Sequence, residues 1–274
     1  MSKRIIILGA GLTGRLAKMM FPEAIVLESK PFNAVFTSEL GVCISIIPIP
    51  ELSNSKYTRY ITIDKQKPTL ELINKYKKKI AREGEIGYGD YRQFEPEQEV
   101  YKQELPRNLS IKFDATVVKI ELSSKKLTTL DKDCFEYDYL INTIPLLNLV
   151  QISDLFTNFK ELTPTFFMHR PIYLLQVPWN TEDNIIRENY ITDINTPIYR
   201  ENYFQGQRNR ESLFKIAGAT KIYPGKIYPS DHVDSILEDL KSYGVFCIGR
   251  YAQWDNKIHL WNVYSQLKFL REVI

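Results

Sequence analysis

Cysteine is scarce. The 274 residues hold three, at Cys43, Cys134 and Cys247. They are far apart, odd in number and without a CxxC pair, which argues against a zinc site and a disulfide framework and leaves ordinary buried thiols. Histidine is equally sparse. His169, His232 and His259 stand alone, with no HxxxH or HExxH spacing to offer a metal one helix face, so no metal ligand is predicted. No apolar run approaches the roughly 20 residues that span a bilayer, so no membrane partner is expected. Charge of one sign is missing too. The 36 basic and 33 acidic residues leave a net +3, too even a balance to argue for nucleic acid by itself. Repeats, low-complexity tracts and a disordered tail are not seen. The opening MSKRIIILGAG has an apolar run without a small-residue cleavage site. It reads as a first strand rather than a signal peptide, and a reducing, cytoplasmic location is expected.

What remains is an ordinary globular composition, 44% apolar and 25% charged, with an unusual 17 tyrosines. Arg4–Leu8, Leu12–Met20 and Ala24–Leu27 read as strand, helix and strand. Pro68–Arg82 has helical spacing, with Leu70, Ile73, Tyr76 and Ile80 on one face. Its Lys75, Lys77, Lys78 and Lys79 suit either an anionic partner or, more plainly, solvent. Gly84–Pro106 looks like an irregular connector. Leu109–Ile144 reads as β structure with a polar turn at Ser123–Lys126, and FEYDYLINTIP as its closing strand. Pro171–Gly218 is a second β region, broken at Pro178–Asn180 and Asn195–Pro197. Ser230–Ser242 is a predicted helix with Ser230 or Asp231 as N-cap. Val245–Ile248 is an apolar strand, and a last helix runs from about Lys257 to the end.

The sharpest signal is Gly9-Ala10-Gly11-Leu12-Thr13-Gly14. GxGxxG alone is weak, but here it follows an apolar strand, opens a helix, and precedes a second strand ending at Glu28, about 20 residues on. Gly9 permits the tight turn. Gly11 lets the backbone approach a pyrophosphate. Gly14 lets helix and strand pack closely, and the free N–H groups of the helix start face the phosphates. Glu28 can accept from a ribose diol, which argues against NADP, and Ser29 follows it. After Lys30 the chain does not continue in βαβ units, as an NAD domain would. It leaves and returns β-rich, which suits FAD.

Two further segments resemble the flavin amine oxidase superfamily, which includes UDP-galactopyranose mutase and protoporphyrinogen oxidase. One is Tyr137–Pro145 (YDYLINTIP), similar to a strand that returns toward the flavin and placing Thr143 there. The ATVVKIEL segment before it resembles a strand whose backbone, here near Val118, meets the adenine. The other is Cys247–Trp254 (CIGRYAQW), similar to a closing GR…W motif. There Gly249 and Arg250 would lie beside the pyrophosphate, with Trp254, Ile258 and the following helix N-terminus toward the flavin ring. A helix N-terminus so placed stabilises a reduced flavin's negative charge. A weaker likeness, DINTPIYR, would turn Arg200 toward a substrate phosphate or carboxylate. A hairpin turn with an exposed arginine explains it equally well.

The resemblance implies an α/β fold: a Rossmann-type FAD-binding domain with an inserted β-rich substrate domain. The boundaries would be 1–50, 108–150 and 244–274 for the first, 51–107 and 151–243 for the second. It departs from the family in lacking a second glycine pair in Ser29–Leu40 and the mutase's Gly/His-rich loop, and in its shortness. It implies an oxidoreductase taking hydride from a carbon next to nitrogen onto flavin N5. Tyr199, Arg200, Tyr251 and Trp254 would orient a small-molecule or nucleotide-linked substrate, and no catalytic base stands out. A non-redox mutase-like enzyme on a nucleotide-sugar and a non-catalytic dinucleotide binder are the alternatives. The Lys/Ile/Asn-rich composition also resembles that of AT-rich or viral genes. That raises a modified, DNA-bound nucleotide as substrate, whose turnover would fall with salt.

Overall fold

A computed structural model describes residues 3–32, 44–45, 47–50, 52–82, 94–106, 108–154, 167–180, 184–228, 230 and 232–274. The first strand, β1 (Ile5–Leu8), is the apolar run IIIL, buried along its whole length. Alternate side chains of a strand point to opposite faces. Ile5 and Ile7 accordingly join one core, and Ile6 and Leu8 the other. A strand covered on both faces needs a continuous apolar run, the mark of a parallel sheet. β1 pairs in parallel with β2 (Ile25–Leu27) and, on its other side, with β9 (Tyr139–Asn142). β15 (Val245–Cys247) adds outside β9, again in parallel.

Helices cover this sheet on both faces. α1 (Leu12–Met20) and α5 (Leu260–Val273) lie on the Ile5/Ile7 side, where Leu16, Val263 and Leu267 fill the core. α3 (Leu146–Ile152) and α4 (Val233–Ser242) lie on the other, through Leu146, Leu149, Ile236 and Leu240. α4 therefore packs with the parallel sheet, although it falls in the stretch 151–243 expected in the substrate domain. Its N-cap is His232, and the Ser230 hydroxyl only accepts from the His232 amide at 3.5 Å. Asp231 lies outside the described residues.

The second large element is an eight-stranded sheet in the order β14-β10-β13-β12-β11-β4-β5-β3. Its strands are β3 (Ile44–Ser45), β4 (Ser53–Ile63), β5 (Glu97–Glu104), β10 (His169–Pro178), β11 (Ile185–Tyr190), β12 (Ile198–Phe204), β13 (Gln207–Ser212) and β14 (Thr220–Ile227). All its pairings are antiparallel except β4 with β11. Part of the connector expected at Gly84–Pro106 is thus strand β5; residues 83–93 lie outside the described residues. β4, α3 and β14 had no counterpart in the sequence reading.

Helix α2 (Leu70–Arg82) seats Ile73, Tyr76 and Ile80 on this sheet against Ile61, Ile63, Tyr190 and Tyr199. Lys75 and Lys78 are exposed, but Lys79 is buried. Its ammonium donates to the carbonyls of Thr196 at 3.2 Å and Ile198 at 2.7 Å, so it belongs to the packing and not to a basic face.

A small antiparallel sheet of β6 (Val117–Glu121), β7 (Lys126–Thr129) and β8 (Cys134–Glu136) completes the described fold. The expected single strand FEYDYLIN is therefore two, β8 and β9, in different sheets. The chain turns between them where Asp138 accepts from the Arg4 amide at 2.7 Å. Among the described residues no helix is long and apolar enough to cross a membrane.

Candidate functional site

The glycine turn joins β1 to α1. Gly9 has φ +89°, open to glycine at little cost. A Cβ there would stand 2.9 Å from Ile144 Cγ2 and 3.0 Å from Thr143 Oγ1. A Cβ on Gly14 would lie 1.9 Å from the Gly9 carbonyl oxygen, so only hydrogen lets α1 start this close to β1. Gly11 is different. It has no heavy atom within 4 Å of its Cβ position and stands as N-cap of α1 with an extended backbone. The helix has no side-chain cap and no acidic residue in its first turn. The amides of Leu12, Thr13 and Gly14 come too early for intrahelical partners. Open space and free N–H groups at a helix N-terminus suit a diphosphate.

Glu28, at the end of β2, is buried. Its carboxylate accepts from the Ala10 amide at 2.7 Å and the Lys30 amide at 2.9 Å. The Ser29 hydroxyl donates to it at 3.3 Å. Two oxygens offer about four acceptor positions, so room for a diol hydroxyl remains.

The two later motifs close on this turn. The Thr143 hydroxyl donates to the Leu8 carbonyl at 2.6 Å, pinning the end of β9 beside the turn. Gly249, φ +99°, lies so near α1 that a Cβ would meet Thr13 Oγ1 at 2.8 Å. Arg250 is exposed and donates through Nε to the Ile258 carbonyl at 3.3 Å, and Ile258 packs against the core that holds α1. His259 caps α5, exchanging bonds with Asn262 in a capping box. Burial, with Arg250 nearby, lowers the His259 pKa and so favours the neutral imidazole in this cap. Val118 sits at an irregularity between Val117 and Lys119, where the register with β7 shifts. An extra residue of this kind leaves its backbone groups outside the ladder.

The residues expected on the substrate side lie on both sheets, Tyr199 and Arg200 on β12, Tyr251 and Trp254 after β15. The Tyr251 hydroxyl donates to the Gly225 carbonyl of β14 at 3.0 Å. Burial raises its pKa, and the charges of Arg250, Lys226 and Glu211 all reach it. Lys226 in turn lies 5.2 Å from the centre of the Tyr199 ring. Tyr199 and Trp254 are each 1% exposed, which makes them core residues rather than open walls. Trp254 meets Phe167 and His169 edge-on at 5.1 and 6.0 Å, and its indole N–H is buried without a partner. Arg200 does not present a free charge. Its Nη2 donates to Glu211 at 2.6 Å, and Tyr199 donates to the other oxygen of the same carboxylate at 2.6 Å. Burial opposes the Arg200 charge, but Glu211, Tyr190 and Glu188 more than offset it and hold its pKa well above the ordinary value. Glu211 was missed as the neighbour of Arg200, because only strand pairing brings it there.

The whole chain superposes on a crystal structure of reduced UDP-galactopyranose mutase, with a TM-score of 0.60, 11% identity, and 100% of this chain and 95% of that one covered. It superposes equally widely on a CLA-producing fatty acid isomerase from P. acnes, with a TM-score of 0.57, 11% identity, and 99% and 98% coverage. At this identity the likeness is one of fold. No protein-family model matches the sequence, and no curated protein matches it.

Proposed function

We propose that this chain is an FAD-dependent enzyme. The observation that carries the reading is the meeting of three motifs, Gly9–Gly14, Thr143 and Gly249, around an uncapped helix N-terminus with open space at Gly11. The amides of Leu12, Thr13 and Gly14 would bind the diphosphate. Glu28 would take the ribose hydroxyls, with Ser29 steadying its carboxylate. The backbone at Val118 would meet the adenine. Arg250 adds a positive charge at the diphosphate side, and Ile258 with the start of α5 would lie toward the ring, where a helix N-terminus favours negative charge.

The flavin, when bound, would supply the hydride acceptor, and amine-oxidase-like chemistry at a carbon next to nitrogen is the first choice. The protein's own part is to place the substrate and exclude water at the Tyr251–Lys226–Glu211 seam. Trp254 and Tyr199 hold that seam from behind. A mutase-type reaction without net redox change is the second choice, favoured by the fold likeness to a mutase and an isomerase. Anaerobic titration separates them. Bleaching by an amine panel supports the oxidase; bleaching by dithionite alone supports the mutase type. A DNA-bound substrate would show as activity on a modified oligonucleotide that falls steeply between low and moderate salt. Activity flat with salt would dismiss it.

A further inference from the structure

The face of the eight-stranded sheet that carries α2 has a polar stripe between two apolar clusters. One cluster is Ile61, Ile63, Tyr190 and Tyr199 under α2; the other is Val100, Ile186 and Phe204. Register builds the stripe across four adjacent strands. Arg59 on β4 is opposite Ile186, Glu188 on β11 opposite Asn202 on β12, and Asn202 opposite Asn209 on β13. Arg200 is opposite Glu211.

Both arginines are already matched. Arg59 Nη2 donates to Glu188 at 2.8 Å, and Arg200 Nη2 to Glu211 at 2.6 Å. The carboxylates also accept from phenols, Glu188 from Tyr190 at 3.1 Å and Glu211 from Tyr199 at 2.6 Å. The four charges therefore cancel, and Lys226 adds one positive charge only at the Tyr199 end. Arg200 nonetheless keeps 31% of its side-chain surface open. Three atoms of the stripe are buried without partners: the Nε–H groups of Arg59 and Arg200, and Asn202 Oδ1. The Asn202 amide donates to Glu211 at 3.4 Å, which fixes Oδ1 as the unmatched acceptor.

We infer that this stripe selects an uncharged, hydroxyl-bearing part of the substrate, and that Arg200 is a neutralised specificity residue rather than an anchor for phosphate or carboxylate. A phosphate can only accept, and it would stand beside two carboxylates. An ammonium can only donate, and it would face two guanidinium groups. A hydroxyl does both, and so suits a guanidinium–carboxylate pair of which Arg200 keeps an open edge. The inference rests on the proposed flavoenzyme only in taking the stripe as its substrate floor.

The test is saturation-transfer NMR on the protein as purified, with myo-inositol and myo-inositol 1-phosphate as matched probes. Flavin content is read separately by visible absorbance. The wild type is expected to prefer the neutral polyol at least tenfold. Glu211→Gln unmasks Arg200 and should move that ratio tenfold or more toward the phosphate. Asn202→Asp, a milder change, should move it further toward the polyol. A wild-type preference for the phosphate, a ratio unmoved in Glu211→Gln, or transfer from neither probe would overturn the inference. Loss of flavin with the polyol preference intact would instead count against the proposed cofactor and leave the stripe standing.

Discussion

Single residues at the turn separate packing from binding. Gly14→Ala drives a methyl into the Gly9 carbonyl and should cost about 3 kcal/mol of stability in urea melts, whatever its effect on cofactor. Gly11→Ala meets nothing, so its melt should show no packing strain, only the roughly 0.5–1 kcal/mol by which alanine is a poorer N-cap than glycine. Its FAD content should nevertheless fall severalfold, because the methyl fills the space a diphosphate would need. Unchanged FAD content in Gly11→Ala would place the diphosphate elsewhere. Thr143→Val removes the bond to the Leu8 carbonyl and should cost about 1 kcal/mol. These glycines were legible because each acts through a local backbone demand that spacing alone exposes. The partner of Arg200 was not, since it depends on a pairing across strands. The signal was there in Gln205-Gly206, both at positive φ, which close a two-residue turn. Counting outward from that turn pairs Phe204 with Gln207 and Asn202 with Asn209, and then sets Arg200 opposite Glu211.

Among the elements, α2 was read correctly as a helix and only partly as a surface. Its apolar face follows helical spacing, but Lys79 lies inside that face's edge, and no pattern tells a lysine that reaches carbonyls from one that reaches water. Lys79→Ala leaves the Thr196 and Ile198 carbonyls without their donor and should cost about 1–3 kcal/mol. Strand β5, EQEVYKQE, was missed because its charged and amide side chains hide the alternation; among its described side chains only Val100 and Gln103 are buried. At α5 the cap itself is sensitive to pH. The folded state holds His259 below its ordinary pKa of 6.5 through burial and Arg250. The unfolded chain therefore binds the proton first as pH falls, and stability drops from about pH 6.5 down through the lowered value. Above that window His259 contributes no slope. His259→Asn keeps a good cap and should flatten this part of the stability–pH curve, measured by urea melts across the window. A wild-type curve as flat as the variant's would remove His259 from the account.

At the scale of the molecule, the chain brings its two ends and its middle together. Residues near Gly9, Thr143 and Gly249 meet at the C-terminal ends of β1, β9 and β15 in the four-stranded parallel sheet, and the eight-stranded sheet reaches the same place through Gly225 and Tyr251. The order of these motifs was legible in the sequence because each sits at the end of a short apolar strand. The membership of α4 was not. Nothing in its own pattern says which sheet its Ile236 and Leu240 will cover. In the proposed function, the space at Gly11 belongs to FAD. The most direct measurement is the visible absorption spectrum of the purified protein, with the cofactor released and identified by mass. A yellow protein that releases FAD is expected. A colourless protein that takes up no added FAD would contradict it and leave the glycine turn, Thr143 and Gly249 as packing alone.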